Sequence, residues 1–316
     1  MVKLLRLKNW LNNNDYFQKE RVLLVPFFVI RNREIVMDYQ WYPGHMTKAM
    51  RQMKEDIKLI DLVIELLDAR IPISSRNPDI DSLGKNKARL VLLNKSDLAD
   101  EAQNNKWIQY FKDKGIIALK INSKNKQGIK DINNAVLTVC KEKIERDKRK
   151  GIKNRPVRAM VVGIPNVGKS TFINAYAGKN CAKTGNKPGV TKGKQWIRLG
   201  KNLELLDTPG VLWPKFDDQK IGLHLAFIGS MNDNNLDMAE LAYQLIREIS
   251  KTYPEAFINR YGITGDEDPL QVMYQVAEVR GCKLKGNKLD LDKTSSMIMD
   301  DFRSGKLGRI TIDSLD

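Results

Sequence analysis

Gly163-Ile164-Pro165-Asn166-Val167-Gly168-Lys169-Ser170 stands between an apolar run at 158–162 and a helical pattern at 169–177, and its GxxxxGK[ST] form decides the fold class. Glycines let backbone N–H groups close around phosphate oxygens, with the positive end of the following helix behind them. The reading assigns Asn166, Val167, Gly168, Lys169, Ser170 and Thr171 to a phosphate chain. Lys169 reaches the terminal phosphates and the Ser170 hydroxyl ligates Mg²⁺. A ligand-free glycine turn is the bland alternative; the strand before it and the helix after it argue against that.

Downstream, Asp207-Thr208-Pro209-Gly210 lies 44 residues beyond Gly163, the interval a phosphate-sensing switch requires. Asp207 would act on the Mg²⁺ shell and the Gly210 N–H would sense a γ-phosphate. Between them, Pro188-Gly189-Val190-Thr191 offers the Thr191 hydroxyl to the same Mg²⁺, or else makes an ordinary turn. Upstream, Asn94-Lys95-Ser96-Asp97 ends an apolar strand. Asp97 would accept from guanine N1 and the exocyclic amine, a pairing that adenine cannot reproduce. Lys95 would lie along the base and Asn94 would brace the loop. Asn122-Ser123-Lys124 comes after a further strand and is similar to loops that support guanine O6 through backbone N–H.

These motifs normally run phosphate loop, threonine switch, DxxG, NKxD. Here NKxD comes first, so the order is circularly permuted. A doubly wound sheet tolerates this because the cut opens one surface connection and the old termini lie close together. The segment after Gly210 then leads straight into the C-terminal part of the chain, which can carry γ-phosphate contacts outward.

Two kinds of patterning divide the chain. Strand-like runs at 62–67, 89–93, 116–121 and 158–162 alternate with helical patterns at 46–60, 101–114, 128–150 and 169–177, and a hairpin is expected around Gly200. After about residue 220, patterns at 236–249, 254–261, 269–280 and 294–302 read as helices with no strands between them. The expected fold is α/β: a circularly permuted P-loop GTPase domain with a doubly wound, mostly parallel sheet at 37–219, then a small all-helical domain at 220–316. Residues 1–36 share neither period, and Met37 reads as a natural start, with 1–36 either an extension from an upstream start codon or a genuine extra arm.

A net charge of +16 and a pI near 9.6 point to a polyanionic partner, nucleic acid ahead of an acidic membrane surface. The dense cations of 141–158, and Lys283, Lys285, Lys288, Lys293, Arg303, Lys306 and Arg309, are the candidate contacts. Few aromatics interleave the C-terminal group, which favours reading the backbone of folded RNA over stacking on single strands. Cys140, Cys181 and Cys282 are far apart and form no CxxC, so neither a disulfide framework nor a zinc knuckle is expected. The apolar stretch at 22–30 is too short to span a bilayer and lacks a cleavage site. A cytoplasmic protein is expected.

Many GTPases orient the attacking water with a glutamine just after DxxG; this chain has Val211, which cannot do so. Of its two histidines, His45 sits in the rigid Gln40-Trp41-Tyr42-Pro43-Gly44-His45-Met46 segment and is the candidate to position or deprotonate water, ahead of His224. A helix cap or a surface histidine is the alternative for His45.

In these motifs and this order, with Asp68-Ala69-Arg70 and the 71–78 segment after it, the chain resembles the circularly permuted GTPases of the ribosome biogenesis GTPase A family over 37–316. The resemblance implies GTP hydrolysis to GDP and phosphate at a late step of large (50S) ribosomal subunit assembly, with turnover stimulated by that subunit and rRNA touched by both domains. It also implies that His45 is catalytic and that Asn166 helps hold K⁺. Expected partners are GTP or GDP, the large subunit and its rRNA, with no membrane, the chain acting as a monomer. The competing reading is an RNA-binding module that holds GTP with negligible turnover, which Val211 would allow. A related permuted family serving the small subunit carries a Cys/His zinc site that these three cysteines cannot build.

Overall fold

The computed structural model describes residues 44–152, 155–182, 195–199, 202–213, 216, 218–265 and 268–315. Asp38–Asp316 is one compact unit. Its six-stranded sheet has the order β3-β2-β1-β4-β6-β5, with β1 Leu62–Asp68, β2 Ala88–Asn94, β3 Ile117–Lys120, β4 Val157–Val162, β5 Gln195–Leu199 and β6 Leu203–Asp207. Every neighbouring pair is parallel except the β5–β6 hairpin. Parallel strands covered on both faces read as unbroken apolar runs, and β1 is buried along its whole length. Within it, Glu65 lies 2.6 Å from Arg89 and 3.6 Å from Arg76. Burial raises the Glu65 carboxyl, and the two guanidinium groups oppose that rise.

Helices α1 Gly44–Asp56, α2 Asp79–Leu83, α3 Glu101–Asp113, α4 Ile132–Val139, α5 Lys141–Arg149 and α6 Lys169–Ala177 are interleaved with the strands. The Asp100 carboxylate caps α3 by accepting from the Gln103 N–H at 2.8 Å. From α3, Trp107 and Phe111 pack on Leu67, Val91 and Leu93 of the sheet. Each such aromatic contributes roughly 2 to 3 kcal/mol of burial before its entropy is counted. The single helix expected at 128–150 is two, α4 and α5, separated at Cys140 (φ −99°, ψ 10°). Ile132, Ala135 and Val136 seat α4 against β2 and β3, whereas α5 is almost wholly charged. A helix so charged has no apolar face for such a seat.

Five further helices follow among the described residues: α7 Gln219–Phe227, α8 Met238–Thr252, α9 Glu255–Tyr261, α10 Pro269–Arg280 and α11 Leu291–Arg303. Helix α7 escaped the sequence reading because residues 222–227 are all buried and show no amphipathic period. Helix α8 packs on α10 and α11. Beyond α11 the chain returns to the sheet. The Ile310 N–H donates to Leu98 O (3.0 Å), the Ile312 N–H to Arg70 O (2.8 Å), and Leu315 packs on the Trp107 cluster.

Register brings Asp68 of β1 opposite Asn94 of β2, and Asp207 of β6 opposite Val161 of β4. The carboxyl ends of these strands therefore share one edge. Strand order runs away from the β1–β4 pair in opposite directions, and such a switch point opens a crevice for ligands. Permutation leaves it intact, because β4 still lies beside β1.

Candidate functional site

The loop between β4 and α6 sits in this crevice. Lys169, buried at the start of α6, turns its Nζ back to donate to Gly163 O (3.0 Å) and Ile164 O (2.9 Å). Gly168 has a φ of +101°, and a Cβ there would lie 2.5 Å from the Asn94 Nδ2. Only glycine allows this approach between the two loops. Ser170 and Thr171, half-buried in the first turn of α6, stand at the helix end whose free N–H groups attract anions.

Asp207 faces Lys169 across the crevice. Burial lowers the Lys169 ammonium and raises the Asp207 carboxyl, and each charge partly restores the other. The Asp207 Oδ1 is buried with no hydrogen-bond partner. A desolvated anionic oxygen left in this way is costly, and a divalent cation beside the Ser170 hydroxyl answers it. The residues present therefore fit Mg²⁺. Thr208 Oγ1 donates to Val161 O (2.7 Å), and a Cβ on Gly210 would lie 2.8 Å from the Lys169 Nζ and from Pro165 Cα and N. Gly210 thus packs directly on the phosphate loop. Val211 is buried, with its N–H directed at Gly163 O (3.4 Å).

The NKxD loop is joined to the phosphate loop by side chains. Asn94 donates through Nδ2 to Val167 O (2.8 Å) and accepts at Oδ1 from the Ser123 N–H (3.1 Å) and Oγ (2.8 Å). One buried amide thus ties three loops. The Ser123 N–H is engaged by Asn94 rather than open to a base. Asn122 Oδ1 accepts from the Lys124 and Asn125 N–H groups (2.9 and 3.1 Å), shaping the same turn. Lys95, at φ +59°, donates to Asn166 O (2.9 Å) and pairs with Asp68 (3.0 Å). Asp97 is exposed at the rim.

Local patterning gave no hint of what Asp68 and Arg70 do. Arg70 donates to both Asp68 oxygens at 2.8 Å, and its guanidinium lies 5.3 Å from the Phe302 ring centroid on α11. Burial would raise the Asp68 carboxyl, but Arg70 and Lys95 outweigh it and hold it well below the usual range. Asn166 donates through Nδ2 to Gly229 O (2.7 Å), and Ser230 Oγ donates to Pro165 O (2.9 Å). The turn after α7 is thereby fastened to the phosphate loop, and a cation at Asn166 would be met by Oδ1.

His45 lies in the first turn of α1, but its side chain, residues 40–43 and Thr191 fall outside the described residues. His224 is not at the phosphate loop. Its Nδ1 meets Asp313 Oδ1 (2.8 Å) and Ser74 Oγ (3.0 Å), and its Nε2 meets Glu248 (3.0 Å). Burial would lower its pKa, but the two carboxylates raise it to about 9. It is a structural imidazolium.

Comparison with known proteins supplies the family. A protein-family profile described as "50S ribosome-binding GTPase" matches residues 158–274. Ribosome biogenesis GTPase A of Bacillus cereus is 50% identical over 279 residues, 88% of this chain and 94% of that protein. Among solved structures, YlqF from T. maritima in its GNP-bound form aligns with a TM-score of 0.59 and 27% identity, covering 84% of this chain and 97% of its own. The GDP-bound form gives 0.61 and 26%, covering 83% and 98%.

Proposed function

Since this chain belongs to the ribosome biogenesis GTPase A family and is therefore a GTPase of ribosome biogenesis, we propose that it acts late in large (50S) subunit assembly, its GTP state governing binding to the subunit and release. The observation that carries this reading is the pair of bonds from Asn166 to Gly229 and from Ser230 to Pro165. A phosphate loop reshaped by its ligand moves atoms bonded to the turn between α7 and α8, so nucleotide state has a short route into the helical part.

In this reading 37–219 is the nucleotide domain and 220–316 the helical domain. N–H groups at 166–171 and the Lys169 ammonium hold the phosphates. Ser170, Thr191 and Asp207 hold Mg²⁺, which supplies charge neutralisation between the phosphates when bound. Asn166 Oδ1 is offered to K⁺. Asp97 reads guanine, Lys95 lies along it, the Asn122–Ser123 turn borders it, and the Gly210 N–H meets the γ-phosphate. His45 positions or deprotonates the water: Val211 is aliphatic and buried, and the chain's other histidine is held by two carboxylates.

RNA contact by the helical part is supported by a hairpin between α10 and α11. Lys283 bridges to Leu289, the tip turns through Gly286 (φ +82°) and Asn287 (φ +62°), and Lys283, Lys285 and Lys288 are all exposed on it. No helix among the described residues is long and apolar enough to cross a membrane. A cytoplasmic monomer with the large subunit and its rRNA as partners is the accompanying proposal.

GTP turnover in potassium buffer, with and without purified large subunits, tests it on the 37–316 chain and its His45→Ala variant. Stimulation by the subunits that falls by about 100-fold or more in the variant is expected of a lost general base. Slow turnover unchanged in every condition would instead favour a GTP-holding RNA-binding module.

A further inference from the structure

At the opposite end of the sheet from the phosphate loop is a groove of about 760 Å³, walled by α4 and α5, the end of α6 and the β5–β6 hairpin. The start of β4, Val157, lies in it, and at about 3.3 Å per residue the five steps to Val162 put it roughly 17 Å from the nucleotide crevice. Among the described residues its cationic lining is Lys143, Lys148, Arg155, Lys179 and Arg198, against one acidic residue, Asp147.

These cations are of two kinds. Lys143 is held by Asp61 (3.3 Å) and Asp147 (3.2 Å), and Arg155 reaches Asp61 at 3.7 Å. Lys148, Lys179 and Arg198 are exposed and have no carboxylate within ion-pair reach among the described residues. The lining also includes the apolar side chains of Leu137, Ile144, Ile152 and Val157. Leu137 and Ile152 are 51% and 40% exposed there. Tyr176 stands in the wall, stacked on Phe172 at 5.7 Å and 15°, with its hydroxyl held by Asn133.

From this juxtaposition we propose that the groove docks an unpaired stretch of RNA, its phosphates on Lys148, Lys179 and Arg198 and its bases against the apolar side chains and Tyr176. Free cations in one groove with apolar and aromatic side chains match a nucleotide chain, which alternates charge and flat apolar surface. An acidic protein segment meets the same cations, but the +16 net charge of the chain favours the denser polyanion. Because the groove is remote from the crevice, RNA there leaves the nucleotide site free. The proposal rests on the reading of the chain as an RNA-contacting assembly GTPase.

The test uses the full chain carrying Lys148→Gln, Lys179→Gln and Arg198→Gln together, with Lys283→Gln, Lys285→Gln and Lys288→Gln as a separate comparison variant. Binding to large ribosomal subunits and to deproteinised rRNA from them is titrated across salt, alongside affinity for a fluorescent GTP analogue and thermal stability. The groove variant is expected to keep nucleotide affinity and melting temperature. It should bind rRNA at least tenfold more weakly at low salt, with a log–log salt slope shallower by about 2, the amount three single-strand phosphate contacts carry. A groove variant that binds like the wild type, while the hairpin variant weakens, overturns the groove proposal and leaves the parent reading standing. Loss of subunit binding with rRNA binding intact also overturns it, by assigning the groove to a protein. A wild-type chain that binds neither particle nor rRNA overturns both.

Discussion

His224 offers a sharp test of the packing that joins the helices to the sheet. It is 2% exposed, and its two ring nitrogens donate to Asp313 on the C-terminal segment and to Glu248 on α8, while Ser74 after β1 donates to the same Asp313 oxygen at 2.7 Å. Asp313 also accepts from the Ile73 and Ser74 N–H groups at 2.8 and 2.7 Å. Four chain segments therefore meet at one imidazolium. Its folded pKa is raised to about 9. Against roughly 6.5 in an unfolded chain, protonation contributes about 3 kcal/mol to stability. The sign comes from the raised value: the contribution is full below the unfolded pKa and is lost as pH rises through about 9. Linkage puts the loss between pH 7 and pH 9.5 at roughly 2 kcal/mol. Imidazole NMR measures the pKa directly, since the chain has only two histidines and His45→Ala identifies the other. Urea unfolding of the wild type and His224→Gln at both pH values then measures the energy, and the difference between the two proteins should shrink by about 2 kcal/mol at the higher pH. A His224 resonance titrating near 6.5, or a stability difference that ignores pH, would refute the argument.

Two substitutions probe the loops. Asn94→Ala removes partners from Val167 O and from the Ser123 N–H and Oγ. With about 1 kcal/mol or more for each buried group left unpaired, urea unfolding should register a loss of roughly 3 kcal/mol, together with weakened nucleotide binding. A loss under about 1 kcal/mol would mean that water replaces the amide. Gly210→Ala sets a methyl 2.8 Å from Pro165 backbone atoms and the Lys169 Nζ. The phosphate loop must shift, so GTP hydrolysis should fall by about 100-fold, as for reacting groups displaced by an ångström, while GDP affinity changes only a few-fold. Equal losses of both would point to general unfolding, which a thermal melt would reveal.

The phosphate loop, the NKxD loop and the run of strands were legible in the sequence because each depends on residues close together in the chain: glycines at fixed offsets, apolar runs long enough for a buried strand, a carboxylate after a strand end. Helix α6 was readable to the residue, Lys169–Ala177, because a glycine turn starts it and Gly178 ends it. Permutation too was visible, since it is an order of motifs. The break at Cys140 and the existence of α7 were not, because the first depends on where an apolar face finds a sheet to cover and the second on a segment buried on all sides. What only the tertiary structure decided is how distant segments complete one another. Asn94 closes onto Val167, Asn166 onto Gly229, Lys95 onto Asp68, and the returning C-terminal segment braces the NKxD loop through Arg309, which donates to Ser96 O and Ala99 O. Each is a hydrogen bond or ion pair between residues tens to hundreds of positions apart, or an orientation set by such a pair. Local patterning carries no record of them, because the partner is chosen by the packing of whole elements and not by the neighbours along the chain.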